Sequence, residues 1–102
     1  MSKKLTLSQE ARYREAGFQP NVLHDLAHFR VVVIALKKGQ EIQPHEGDDG
    51  MFYVADGEGI FYAQEGDIDI TAGDIVIVEH GERRGMRAVE DLLVLVARAA
   101  RS

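Results

Sequence analysis

The chain is 102 residues long, 45% hydrophobic and 28% charged, with a formal net charge of −5. Those values describe one ordinary globular domain with a single core. They exclude cysteine chemistry outright, since there is no cysteine, and argue against a nucleic-acid surface, which needs concentrated positive charge.

The opening MSKKLTLSQE is too polar for a secretory leader, and the apolar run from Val31 to Leu36 is far short of a membrane span. The expected compartment is the cytoplasm, with no membrane partner. From Leu5 to Gly17 the composition predicts a short N-terminal helix, capped by Ser8 and ended by Gly17. Beyond Pro20 the pattern is β. Arg30 to Leu36 (RVVVIAL) is apolar on both faces, as in a strand buried between layers. Met51 to Ala55 is the next strand. Asp56-Gly57-Glu58-Gly59 reads as a hairpin turn from which Ile60 to Ala63 returns. Gln64-Glu65-Gly66 turns the chain into Asp67 to Thr71, whose alternation leaves one face wet. After Ala72-Gly73-Asp74 come three further strands, Ile75 to Val78, Arg84 to Ala88 and Asp91 to Arg98. About eight or nine short strands with frequent turns predict an all-β sandwich or small barrel, one domain over residues 1–102.

Gly39 and His45 followed by MFYVADGEG (Met51 to Gly59), and AGDIVIVEHG (Ala72 to Gly81) followed by Arg84-Gly85-Met86-Arg87, resemble the two motifs of the cupins in order and separation. The resemblance covers about residues 30 to 98. It implies a cupin-type jelly-roll β-barrel with a pocket inside, and a homodimer as the assembly. It also implies a place for a metal. The family's centre takes two histidines one residue apart and a glutamate from the first motif, and a third histidine from the second. Carried over residue by residue, the first histidine matches His45, the second falls on Gly47, the glutamate on Gly50 and the third histidine on Arg84. Only His45 keeps a donor, because a guanidinium stays protonated and does not ligate metals. The resemblance therefore implies a degenerate motif and no metal cofactor. If a divalent metal binds through stand-ins, His45, Asp49 and His80 are the set.

Phe52 and Val54 share the face of position 50, and Met86 that of Arg84. With His45, Asp48, Asp49 and Arg84 they are the pocket candidates. Each has two readings. Arg84 either grips a carboxylate, phosphate or enolate of a ligand through its planar fork, or is neutralised by Asp48 or Asp49 across the barrel mouth. His45 is a neutral partner or proton carrier near neutral pH, or a histidine bonded at a strand end. Phe52, Val54 and Met86 line a pocket or fill the core. Tyr53 and Tyr62 pack between sheets or at a dimer face. Leu92 to Ala97 serves a dimer interface or the core.

Two other motifs fail. Asp67-x-Asp69 begins like a calcium loop, but Ala72 stands where glycine is needed and Val78 where glutamate is needed. No serine sits in a nucleophile elbow. The expected function is a small cupin-fold protein, of unassigned specific function, that binds a small molecule in its barrel, an anion if Arg84 is free to pair. Beside it stand a metal-dependent dioxygenase or isomerase using stand-in ligands, a metal-free isomerase or epimerase using His45, and a non-catalytic module with a filled barrel.

Overall fold

Residues 29–36 (FRVVVIAL) show why the chain folds in layers. Val32, Ile34 and Leu36 turn to one side, Val33 and Ala35 to the other, and all are buried. A strand with no wet face has to sit between two apolar layers. The computed structural model describes residues 2–18 and 20–100, and among them it forms nine strands and one short helix.

β1 (Asn21–Asp25), β2 (Phe29–Leu36), β4 (Gly50–Asp56), β7 (Ile75–Val78) and β9 (Leu92–Ala99) make a five-stranded sheet in the order β1-β2-β9-β4-β7. β3 (Glu41–Glu46), β5 (Glu58–Ala63), β6 (Gly66–Thr71) and β8 (Arg83–Ala88) make a four-stranded sheet in the order β3-β8-β5-β6. Every pairing is antiparallel. Their inner faces enclose Leu36, Val54, Phe61, Met86, Leu92 and Val94. Phe52 and Phe61 meet edge to face with centroids 5.2 Å apart. The result is the all-β jelly-roll barrel that the sequence predicts.

Four local expectations need correction. The helix α1 spans only Leu7–Glu10, its N-cap is Thr6 rather than Ser8, and the backbone is already extended at Ala11. Tertiary contacts outbid helix propensity there. Leu7 and Ala11 lie on a second apolar cluster, Val33, Ala35 and Leu93, on the outer face of the five-stranded sheet. The Asn21 side-chain amide then takes the Glu10 carbonyl at 2.9 Å.

Asp56 to Gly59 is not a hairpin, because β4 and β5 belong to different sheets. It is a corner between layers. Gly57 makes it with φ 87°, and a side chain there would run into the Asp91 carbonyl. Tyr62 does not pack between sheets; its hydroxyl donates to Glu41 on the outer face, which raises its pKa. Finally, β1 and β3 are strands that hydrophobic pattern did not reveal. Both lie at sheet edges with mostly exposed polar residues, and an edge tolerates Pro44.

The inward face of Leu92 to Ala97 belongs to the core, since β9 is the central strand and buries Leu92, Val94 and Val96. Among the described residues no helix is long and apolar enough to cross a membrane.

Candidate functional site

One end of the barrel is closed by two loops, residues 47–49 between β3 and β4 and residues 79–82 between β7 and β8. They are tied together. The Gly81 amide donates to the Gly47 carbonyl at 2.8 Å. The His80 amide donates to the Asp49 carboxylate at 2.7 Å, and the His80 ring Nδ1 lies 3.1 Å from Asp48 Oδ1.

Arg84 enters this end from β8. The strand alternation splits the three arginines of that stretch: Arg83 and Arg87 point out, while Arg84 is 6% exposed and Met86 1%. They form no common basic face. Across from β8, the edge strand β3 carries a bulge. Ile42 pairs with Met86 and His45 with Arg84, so two residues, Gln43 and Pro44, stand against one, Gly85. Gly85 makes the bulge possible, because a Cβ there would sit 2.5 Å from the Ile42 carbonyl. His45 itself stays exposed, with Nδ1 3.1 Å from the Gln43 carbonyl.

The Arg84 guanidinium spreads over three backbone carbonyls. Nη1 donates to Asp48 O, Nη2 to Glu79 O at 3.1 Å and to Glu82 O at 3.0 Å, and Nε to Glu82 O at 3.3 Å. Both loops thus hang on one side chain. Its fork is already spent on the protein, with four of its five N–H donors used. No ion pair among the described residues includes Arg84. The Asp48 partner is its backbone carbonyl. Burial pushes the guanidinium below its ordinary pKa and nearby Arg98 adds to that, while Glu82, Asp48 and Asp49 pull it back up.

The guanidinium also crowds one glycine and borders another. A Cβ on Gly47 would lie 3.1 Å from Arg84 Cζ, and one on Gly50 3.6 Å from Nη1. Arg84 occupies the space over Gly47, while at Gly50 a Cβ would meet it only in ordinary contact.

Below the loops a cavity of about 220 Å³ remains. The barrel is not filled. Of the candidates named from the sequence, His45, Asp48, Phe52, Arg84 and Met86 line it. Val54 lies outside the lining, 1% exposed in the core, and Asp49 stands at the loop holding His80. Sequence reasoning missed Val32, Ile34, Ile42, Val96 and Arg98, and the N-terminal Phe18 and Pro20. Period-two alternation on β2 and β9 contains the first two and the Val96–Arg98 pair. Nothing local marks Phe18 or Pro20, which arrive from outside the barrel.

The family model for the Cupin domain matches residues 30–97. The chain is a cupin. Solved structures agree over nearly the whole chain. An RmlC-like cupin from Desulfovibrio desulfuricans is 27% identical, covers 97% of each chain and superposes with a TM-score of 0.88. A double-stranded β-helix protein from Klebsiella pneumoniae is 23% identical over 97% of this chain and 90% of its own, with a TM-score of 0.89. A conserved protein of unknown function from Streptococcus pyogenes is 22% identical over 100% of this chain and 90% of its own, with a TM-score of 0.83. No curated protein matches.

The positions that the cupin resemblance assigns to metal ligands do not fit a metal in this chain. Gly47 and Gly50 carry no donor, and Arg84 lays a cation beside both. Nor does the stand-in set gather. Among the described residues no three His, Asp or Glu groups lie close enough to hold an ion; His80 is exposed and turned to Asp48, and Asp49 is engaged by the His80 amide.

Proposed function

We propose that this cupin binds a small anionic molecule in its barrel without a metal. One observation carries the reading: a guanidinium 6% exposed borders a mostly apolar cavity and has no carboxylate ion-pair partner among the described residues. Backbone carbonyls stabilise it only in part, because dipoles offset less of a buried charge than a counter-ion does. An anion entering the cavity meets a fixed positive field at low dielectric, where attraction is strongest. The cavity walls supply burial for the rest of the molecule.

The test is a two-dimensional NMR titration with small organic acids, sugar phosphates and neutral amides. Saturable shifts at Phe52, Met86 and Arg84 with acids, and weaker ones with the matching amides, are expected. Equal response to acid and amide, or none to any compound, overturns the reading. The cupin likeness extends it to a homodimer. Ile75 and Ile77, 57% and 67% exposed on edge strand β7, support that pairing; a monomer mass by light scattering would remove it.

A further inference from the structure

β9 carries one inward stripe, Leu92, Val94, Val96 and then Arg98. The first three are core. Arg98 is where that stripe reaches the cavity mouth, and it lines the same cavity as Arg84. The two are neighbours through Gly50. Arg98 is the Cα partner of Gly50 across the β4–β9 ladder, and Arg84 Nη1 lies 3.6 Å from where a Gly50 Cβ would be. Directly opposed positions in such a ladder stand about 5 Å apart at Cβ. Two guanidiniums therefore flank one opening.

Their states differ. Arg84 is held by carbonyls and keeps one N–H. Arg98 is exposed and makes no hydrogen bond or ion pair with the described residues. A contrast stands beside it. Arg30, the Cα partner of Arg98 on β2, is paired with Asp25. Asp48 also lines the cavity, but its Oδ1 receives the Asp49 amide and faces His80.

We infer that Arg98 grips the carboxylate of a small organic acid with its free planar fork, that Arg84 contributes its fixed charge and remaining N–H, and that the acid's hydrocarbon body lies on the apolar wall. The inference rests on the anion-binding reading above and deepens it. Two like charges at one opening repel each other, and an anion between them relieves that repulsion. Arg supplies two parallel N–H donors, the geometry a carboxylate accepts. The wall sets the rest of the ligand. Ile34, Phe52, Met86 and Val96 offer no partner for hydroxyl groups, and a sugar placed there would lose its hydrogen bonds to water. An aliphatic or aromatic acid loses none.

Calorimetry with hexanoate, phenylacetate, hexanamide and glucose 6-phosphate tests this on the whole chain. Arg98 is exposed, so Arg98→Gln leaves the fold intact. Hexanoate and phenylacetate should bind the native protein more tightly than hexanamide or glucose 6-phosphate. Arg98→Gln should weaken the acids roughly tenfold, the loss of one charge-assisted pair, and Arg98→Lys should recover part of it. Hexanamide should be unaffected. Unchanged hexanoate affinity in Arg98→Gln, with hexanamide still weaker, overturns the role of Arg98 and leaves the anion-binding reading standing. Tighter binding of glucose 6-phosphate than of either acid overturns the hydrocarbon body. No binding by any anion overturns both readings.

Discussion

Around Leu36, Ala88 and Leu92, all at 0% exposure, side chains meet one another with no polar group between them. At the other end of the same strands, one guanidinium reaches three backbone carbonyls beside a cavity of about 220 Å³. The first end is held by close packing, which is non-directional and tolerates no voids. The second is held by directed hydrogen bonds, which fix two loops while leaving space between the sheets. A barrel can be rigid and hollow because its two ends use different forces.

Three substitutions probe that contrast. Leu92→Ala, at the packed end, should cost about 3–4 kcal/mol in urea unfolding, since the void it leaves cannot hydrate or collapse fully. A cost under about 1 kcal/mol would mean the packed end is looser than its burial suggests.

Arg84→Leu should cost less, about 2 kcal/mol, because it keeps the side chain's bulk and strips donors from the carbonyls of Asp48, Glu79 and Glu82. Hydrogen exchange separates this from a global effect. The Gly81 amide, bonded to the Gly47 carbonyl, should exchange faster while β9 amides follow only global stability. Uniform acceleration would show that Arg84 does not hold the loops.

The smallest effect belongs to Gly47→Ala. Its new methyl meets the guanidinium at 3.1 Å, a contact that should cost about 1 kcal/mol, as overpacking does at its low end. In an Arg84→Ala background the cost should vanish, a coupling that a double-mutant cycle reads directly. Carrying the pair further, Gly47→His with Arg84→His should give His45 two imidazole companions and measurable nickel affinity. If nickel binding does not rise, the ligand positions carried over from the cupins are misplaced in this chain.

Much of this was legible one residue at a time. RVVVIAL, β2 of the structure, announces burial on both faces, and both faces are covered. Counting in twos from Gly50 reaches Phe52, and counting in twos from Arg84, three residues past Gly81, reaches Met86; all three side chains lie inside. Edge strands hide from such counting. β1 and β3 keep polar residues because half their backbone faces water, so hydrophobic pattern passes over them. Arg98 hid differently: it continues the stripe of Val94 and Val96 but stands at the strand's end, where a charge usually marks solvent.

The sequence by itself determined the family, the all-β barrel, the inward facing of Arg84 and the lack of donors at Gly47 and Gly50. Period-two alternation and turn chemistry act over a few residues, so they can be read along the chain. The tertiary structure alone decided what Arg84 touches. Its partners are carbonyls of residues 48, 79 and 82, and a backbone carbonyl is the same at every position. No residue type marks it as an acceptor until two loops, more than thirty residues apart from 48 to 79, fold over the same opening.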